Sequence, residues 1–403
     1  MFYCGQLSEK IEDQRTRHPP PAIAMSSTHV PPTMKALTVD SPGQPLQLKT
    51  VPTPSVTPGS CVVKILAVEA SSSILNIITG VAGYTIRPNF TPGGGTPSAA
   101  SSPPAQMRPP SSPASLSCSR ASSALATNLT RSRFSGALLR DSSPQSLKFM
   151  ADNWAAGCMA EYARAPLENC YPLDEKRLCG SPAAGGLGYS VEDLLPLPTQ
   201  LVALGGLRAL DVKPGERVMV APATGTFSYA AVQVAVAMGA KVVAVGRSRE
   251  SLESVRQKFP PGSVHVVPLT GDVETDTASL KQFGPVDAYI DLSPPTAGSS
   301  THVRSCFAAL RKYGRACVMN IMGQDVAVPY ALLTWNSLII KGQFMYERQD
   351  ARLLIKMVEA GVLKLGKQGG NEILGRFRLE EAEDAFALAA SGARAGKFVA
   401  ITP

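Results

Sequence analysis

Histidine is scarce in this chain of 403 residues: there are only four, and two of them, His18 and His29, fall near the N-terminus. The eight cysteines form no C-x-x-C pair and show no regular spacing, which is typical of reduced thiols in a cytosolic protein. No apolar run approaches about 18 residues, so no membrane span is predicted. Residues 1–17 lack the apolar core of a secretory signal. We therefore expect a cytoplasmic protein.

Charge is also modest, because charged residues make up 17% of the chain against 44% hydrophobic residues. This composition fits a globular protein, and the length predicts two domains. The net charge is +8, but five arginines face the single Asp141 between Gly95 and Gln145. That segment lacks the interleaved aromatic residues of a single-strand-binding surface. This charge is therefore uninformative about partners: no nucleic-acid partner is predicted, and the small-molecule substrate that we expect is inferred from the motif at 216–250.

The most informative stretch is 216–250, ERVMVAPATGTFSYAAVQVAVAMGAKVVAVGRSRE. Apolar runs at 218–221 and 242–245 predict strands, and the helical period of 230–238 predicts a helix between them. A turn of small residues that joins a strand to a helix can lay a pyrophosphate on backbone N–H groups at the helix N-terminus. The predicted coenzyme-binding residues of this turn are Ala223, Thr224, Gly225, Thr226, Phe227 and Ser228.

The glycine fingerprint of such turns is incomplete here. The three positions of G-x-G-x-x-G are held by Ala223, Gly225 and Ser228. The flanking strands and helix favour a dinucleotide site. A plain strand–helix–strand crossover without a ligand is the alternative.

The end of the second strand indicates which dinucleotide is bound. NAD-selective sites place a carboxylate there for the ribose hydroxyl, whereas this chain has Gly246, Arg247, Ser248 and Arg249. Guanidinium groups bind a 2′-phosphate in fork geometry. The sequence therefore predicts NADP bound by Gly246, Arg247 and Arg249. The alternative is that both arginines are solvated residues that open a helix.

The chain divides into four predicted regions. Residues 1–33 are polar and Pro-rich and predict a disordered leader. Residues 34–185 begin with strand patterns separated by Pro/Gly turns, residues 186–330 alternate helix and strand patterns, and residues 331–403 return to the first style. Helices are predicted at 190–210 and 302–312, and a strand at 315–321.

The segment 95–145 interrupts the first domain. It is rich in Ser, Pro, Ala and Arg and has no periodicity that predicts a strand or a helix. It is a real, disordered insertion or a frameshifted stretch of the gene. The codons of 98–105, read two nucleotides over, permit Gly-Arg-Val-Val-Ala-Ala-Gly.

This organisation resembles the medium-chain dehydrogenase/reductase superfamily. The resemblance covers about 34–95 and 146–403 and rests on short motifs: MKALTV at 34–39, GCMAEY at 157–162, VKPGERV at 212–218, AAVQ at 230–233 and GKFV at 396–399. It implies an α/β fold with a GroES-like β-domain plus a Rossmann doubly wound parallel-sheet domain. Within the superfamily, PLENCYPLDEKRLCGSPAAGGLGYS at 166–190 is similar to zinc-independent fungal alcohol dehydrogenases or quinone-reductase-like members. Relatives of this kind often form homodimers, so a homodimer is one expected assembly.

The resemblance also predicts that catalytic zinc is absent. Zinc-dependent members carry a Cys after the third strand, where this chain has Ser71, and a Gly-His-Glu where it has Gly93–Gly95. His265 and His302 fall in the nucleotide-binding region, away from the substrate side. No metal ligands are therefore predicted.

Without a metal, hydroxyls or amides have to polarise the substrate oxygen. Ser71 and Asn76 resemble positions that line the nicotinamide pocket of zinc-free relatives, and Tyr84 is a nearby proton-bearing candidate. Lys397 resembles a terminal basic residue that contacts the coenzyme phosphates. The alternative for the first three is local backbone bonding, and for Lys397 a plain surface lysine.

Two functions therefore compete. The first is an NADPH-dependent, zinc-independent oxidoreductase that transfers hydride to a carbonyl, a quinone or an activated alkene. The second is a non-catalytic dinucleotide-binding protein or pseudoenzyme, favoured by the incomplete fingerprint and by the interrupted β-domain.

Overall fold

The structure is a computed structural model. It describes residues 30–41, 43–80, 91–92, 98–101, 115–119, 157–294, 297–319, 325–392 and 394–403. Most of the predicted leader, much of the 95–145 segment and the candidate Tyr84 lie outside these residues.

The strands, in chain order, are β1 (Thr33–Thr38), β2 (Gln47–Pro52), β3 (Ser60–Ala70), β4 (Ser98–Ser101), β5 (Ser115–Ser119), β6 (Tyr162–Pro166), β7 (Cys170–Leu173), β8 (Arg217–Ala221), β9 (Lys241–Gly246), β10 (Val264–Pro268), β11 (Val286–Asp291), β12 (Leu310–Val318), β13 (Ile339–Gly342), β14 (Glu372–Arg378) and β15 (Lys397–Thr402). The helices are α1 (Ser72–Ile78), α2 (Glu175–Cys179), α3 (Leu197–Ala209), α4 (Thr226–Ala237), α5 (Arg249–Arg256), α6 (Val273–Lys281), α7 (His302–Ala309), α8 (Tyr330–Asn336), α9 (Arg348–Glu359) and α10 (Ala382–Gly392).

Strands β8 to β13 form a six-stranded sheet in the order β10-β9-β8-β11-β12-β13. Every neighbouring pair is parallel, and helices cover both faces. Alternate residues of β8 point to opposite cores: Val218 and Val220 pack in one buried cluster, Met219 and Ala221 in another. A parallel strand buried on both faces reads as a continuous apolar run, which is why the sequence predicted β8 and β9. We call residues 197–359 the parallel-sheet domain.

A second, mainly antiparallel sheet forms what we call the β-domain, together with the β1–β2 pair and α10. Its order is β14-β15-β3-β4-β5-β7, with β6 also paired to β3. The C-terminal strand β15 lies between β14 and β3, so the end of the chain packs into the sheet that the N-terminal region begins. The predicted α/β fold class, a parallel sheet beside a separate β-domain, is confirmed.

Two strands lie where none was predicted. The prediction that 95–145 carries no strand is wrong at β4 and β5, which pair antiparallel with each other and bridge β3 to β7. Their ladders use backbone groups, so neighbouring strands can recruit a segment that lacks a side-chain pattern of its own.

Three predicted boundaries also move. Helix α4 begins at Thr226, four residues before the predicted start, because Gly225 is its N-cap. Helix α7 ends at Ala309 because Leu310 adopts an extended conformation (φ −64°, ψ 138°) and opens β12. Strand β13 pairs with β12, so the parallel sheet continues past residue 330. Among the described residues, no helix is both long and apolar enough to cross a membrane.

Candidate functional site

The turn after β8 is open to solvent at the carboxyl edge of the parallel sheet. Ala223 is buried and its N–H donates to the carbonyl of Val245 on β9 at 2.7 Å, which fixes the turn to the sheet. Gly225 is exposed and extended (φ −83°, ψ 168°), and no side chain caps α4. The first N–H groups of a helix lack intrahelical partners, so those of Thr226, Phe227 and Ser228 are available to an anion.

The side chains of the turn shape its mouth. A Cβ at Gly225 would meet only the Oγ of Ser228, at 3.5 Å, so glycine is not required there by backbone strain. Ser228 is buried, whereas Phe227 keeps 39% of its surface exposed. Thr224 and Thr226 are half-buried beside them. The turn is therefore small where it touches the sheet and bulky at one exposed position.

The end of β9 presents two cations next to this turn. Gly246 is buried, and Ser248 caps α5 by accepting from the N–H of Ser251 at 3.1 Å. The side chains of Arg247 and Arg249 are exposed, and neither guanidinium group has a hydrogen bond or ion pair to another described residue. Arg249 is the first residue of α5, which confirms that it opens a helix. A cation at a helix N-terminus is opposed by the helix dipole, so an anionic ligand would be favourable there.

The three residues predicted on the substrate side, Ser71, Asn76 and Tyr84, are not shown to meet at one point. Ser71 is the N-cap of α1, and its Oγ accepts from the N–H of Ile74 at 3.4 Å. This is the local backbone bond that was the alternative for it, although the hydroxyl proton of Ser71 is still free to donate. Asn76 is exposed on α1, and Tyr84 lies outside the described residues.

Lys397 begins β15 and lies at the same end of the β-domain sheet as Ser71. The β3–β15 ladder pairs Ala70 with Val399, so both strands meet near these two residues. The Lys397 ammonium lies 3.9 Å from the Glu372 carboxylate, and both side chains are largely exposed. An exposed pair of this kind contributes little stability, so Lys397 is not committed to Glu372.

Tyr229 connects the 223–228 turn to this edge. Its hydroxyl donates to the carbonyl of Gly370 at 3.1 Å, and its ring packs so closely on Gly396 that a Cβ there would lie 2.5 Å from Cε1. Burial raises the pKa of Tyr229 well above its usual range, so the phenol is neutral. The structure therefore places Tyr229, which directly follows the 223–228 turn, against residues 370 and 396 beside Lys397. We call this contact the junction between the domains.

Gln233, one turn further along α4, was missed as a functional residue. Its amide nitrogen donates to the Gly369 carbonyl at 2.6 Å and to Asn371 Oδ1 at 3.1 Å, and its oxygen accepts from Gln200 at 3.2 Å. A glutamine inside an apolar helix has to find buried partners, and that was the available signal. Gln233 joins the parallel-sheet domain to the chain that enters β14.

Lys258 supports the same junction. Its ammonium donates to the Ala395 carbonyl at 2.9 Å and lies 4.8 Å from the centre of the Tyr229 ring. Burial, and then repulsion from Lys397, lower the pKa of Lys258. The two lysines therefore make the junction electropositive.

A buried polar chain ends β11, next to β8. The Ser293 hydroxyl lies 2.5 Å from Asp291 Oδ1 and 2.7 Å from His302 Nε2, and His302 Nδ1 lies 2.7 Å from Ser300 Oγ. Asp291, Ser293 and His302 are each buried. These bonds give His302 a structural role in fixing the loop that follows β11.

The described residues do not fit a metal. No group of three or more His, Cys, Asp or Glu side chains among them could hold a metal ion. The position after β3 holds Ser71, whose Oγ already serves α1.

One carboxyl group near Ser71 is unusual. Glu69, on β3, is 3% exposed, and burial raises its pKa to about 8. Ala67, two residues earlier on the same face of the strand, packs with Leu195 and Ala400 in a small apolar cluster. Glu69 is therefore largely protonated at neutral pH.

Known proteins are similar to this chain over part of its sequence and over most of its fold. Residues 228–360 match the family described as Zinc-binding dehydrogenase. “Probable D-xylulose reductase A” of Aspergillus clavatus is 27% identical over 250 residues, 60% of this chain and 63% of that relative. The match thus spans less than two thirds of the relative's length.

Two solved structures share the fold. A zinc-binding-type dehydrogenase from Sinorhizobium meliloti 1021 bound to NADP has a TM-score of 0.70 at 17% identity, covering 92% of this chain and 99% of its own. An E. coli alcohol dehydrogenase in complex with NADH has a TM-score of 0.69 at 14% identity, covering 93% and 100%. Together these findings show that the chain is similar to zinc-binding dehydrogenases over part of its sequence and similar in fold to solved dehydrogenases.

Proposed function

We propose that the protein is an NADPH-dependent oxidoreductase that reduces a carbonyl, a quinone or an activated alkene without catalytic zinc. The observation that carries this proposal is the uncapped N-terminus of α4 beside two unpaired guanidinium groups at the end of β9. The helix N-terminus attracts a diphosphate, and the guanidinium groups attract a phosphate monoester.

The residues present fit the coenzyme. Backbone N–H groups of Thr226 to Ser228 would hold the pyrophosphate, and Arg247 and Arg249 would hold the 2′-phosphate. Lys397, beside Lys258, adds positive potential at the junction. When bound, the nicotinamide supplies a hydride.

In this reaction the protein's own residues bind and orient the substrate and donate hydrogen bonds to its oxygen. The Ser71 hydroxyl accepts from Ile74 and keeps its proton, so it can donate to a substrate oxygen as negative charge develops. The exposed Asn76 amide offers a second donor on α1.

Preference for NADPH over NADH rests on charge. No carboxylate stands at Gly246 or at the next three positions to accept from a ribose hydroxyl, and two cations stand there instead. The solved structures with this fold include both an NADP and an NADH complex, so the preference has to be measured for this chain.

A non-catalytic dinucleotide-binding protein is the second candidate. It is favoured by the incomplete fingerprint, in which Ala223 and Ser228 stand at two of the three glycine positions.

The test is a fluorescence titration with NADPH and NADH, followed by turnover assays on a panel of quinones, aldehydes and enones. We expect NADPH to bind about 10-fold or more tightly than NADH, and the Arg247→Ala/Arg249→Ala variant to lose that difference. Arg352→Ala, an exposed arginine on α9, is the control. Binding without turnover on any acceptor supports the second candidate, and absence of binding contradicts both.

We further propose a homodimer formed through the edge of the parallel sheet. Strand β13 is the last strand of that sheet, and Ile339 and Ile340 are 50% and 38% exposed on it. Trp335, at the end of α8 just before this edge, is 79% exposed. An apolar edge strand favours pairing with a second copy. Light scattering on the purified chain tests whether it is a dimer.

The cytoplasmic location stays a prediction.

A further inference from the structure

Two cysteines of the β-domain touch, although they lie 109 positions apart in the chain. The sulfurs of Cys61 on β3 and Cys170 at the start of β7 are 3.5 Å apart, and the Cys61 thiol also lies 3.6 Å from the Ala165 carbonyl. Cys61 is 6% exposed, whereas Cys170 is half-buried. The sequence gives no sign of this pair, because their contact depends on the pairing of β3 with β6 next to it.

We propose that Cys61 and Cys170 are a redox-sensitive pair that hydrogen peroxide converts into an intrachain disulfide. A disulfide needs its sulfurs about 2.05 Å apart, so side-chain rotations have to bring them closer by about 1.5 Å. Cys170 is accessible enough for a small oxidant to reach the pair, while the apolar core around Cys61 excludes larger thiols. The hydrogen bond from Cys170 lowers the pKa of the Cys61 thiol, which favours a thiolate within the pair.

The chemistry balances with one peroxide. A thiol loses its proton, the thiolate attacks one peroxide oxygen and the O–O bond breaks. The sulfur becomes a sulfenic acid, and the other oxygen leaves as hydroxide, which takes up the thiol's proton to form water. The second thiolate attacks the sulfenic sulfur, an S–S bond forms, and the S–O bond breaks to release a second water. The two thiols together lose two electrons, and one hydrogen peroxide gains them and becomes two waters.

The disulfide would tie β3 to the start of β7 and enclose residues 62–169. A cross-link over so long a loop restricts the unfolded chain strongly. Oxidation should therefore strengthen the β-domain and leave the parallel-sheet domain, which holds neither cysteine, unchanged.

Trypsin makes the test direct, because the two cysteines fall in separate peptides with one cysteine each, residues 50–64 and 165–176. The reduced full-length chain is treated with increasing hydrogen peroxide, blocked with N-ethylmaleimide, digested without reductant and analysed by mass spectrometry. We expect the two peptides to appear joined, and the thiol count of the unfolded chain to fall from eight to six. The Tm should rise by about 5–10 °C and return after dithiothreitol.

The cross-linked species should persist in Cys179→Ser, whose half-buried thiol lies on α2, and vanish in Cys170→Ser. The wild-type digest answers the question even if a variant fails to fold. Recovery of the two peptides only as separate alkylated or over-oxidised species would overturn the proposal. So would Cys61 joined equally to several other cysteines.

Discussion

The central strands of the two domains are built differently. Strand β8, in the parallel sheet, reads RVMVA, and its last four residues are fully buried and apolar. Strand β3, in the β-domain, also runs through the middle of its sheet but carries Cys61, an exposed Lys64 and the buried Glu69. A strand that is covered by helices on both faces is a continuous apolar run, so it can be predicted from the sequence. A strand whose faces meet different surroundings can hold reactive groups, and its position depends on its partners.

The largest effect on stability is expected from a substitution of Glu69 on β3. Its folded pKa, about 8, lies above the ordinary 4.5, so the folded chain binds a proton that the unfolded chain has lost. Stability is therefore greatest below about pH 4.5 for this group and is lost as pH rises towards 8. Glu69→Gln should stabilise the protein by about 3 kcal/mol at pH 7. Urea unfolding between pH 5 and pH 8.5 checks this.

Glu383→Gln, an exposed carboxylate on α10, is the matched control and should leave the pH slope unchanged. If Glu69→Gln keeps the wild-type slope, the carboxyl group is solvated and the contrast between β3 and β8 is weaker than described.

The next prediction probes the close packing of the parallel-sheet domain. A Cβ at Gly205 on α3 would lie 2.3 Å from the Met345 carbonyl oxygen, which is backbone and cannot yield cheaply. Gly205→Ala should destabilise the protein by about 2 kcal/mol in chemical denaturation. Gly206→Ala should cost less, because the nearest atom there is the Sδ of the flexible Met319 side chain. Equal losses would show that the backbone contact is not tight.

A third change tests the polar link between the domains. Gln233→Leu removes both donors to Gly369 and Asn371 and leaves buried acceptors unpaired, so we expect a loss of about 2 kcal/mol. Gln282→Leu, at the exposed end of α6, should have almost no effect. Calorimetry should also resolve two transitions in the Gln233 variant if this link couples the domains, and a single unshifted transition would speak against it.

The smallest expected effect is at Tyr229. Tyr229→Phe keeps the ring against Gly396 but loses the hydrogen bond to Gly370, for a loss of about 1 kcal/mol. Tyr313→Phe, 62% exposed, serves as the control. No change in the thermal midpoint of Tyr229→Phe would place its hydroxyl in water rather than on Gly370.

The same difference between the domains explains what the sequence could predict. The order of strands and helices from β8 to β11, and the turn between β8 and α4, followed from apolar period and small residues alone. Strands β4 and β5 could not be predicted, because their place depends on backbone pairing with β3 and β7.

Only the parts of the candidate site that are close together in the sequence could be predicted. The 223–228 turn and Arg247 were identified because they are consecutive with their strands. The contacts of Gln233, Lys258 and Tyr229 with residues 369–396 join parts of the chain more than 130 positions apart, and local patterns carry no information about such distances. Ser71 was predicted as a pocket residue, and its capping bond to Ile74 became visible only once α1 was placed.

The central claim is that the N-terminus of α4 holds the coenzyme diphosphate, and Phe227 tests it most directly. Phe227 is exposed in the first turn, where a carboxylate suits the helix dipole but repels a phosphate. Calorimetric titration of NADPH into Phe227→Glu and its neutral counterpart Phe227→Gln should give an affinity at least about 10-fold weaker for the glutamate, with no loss of stability. Equal affinities in the two variants would contradict the account.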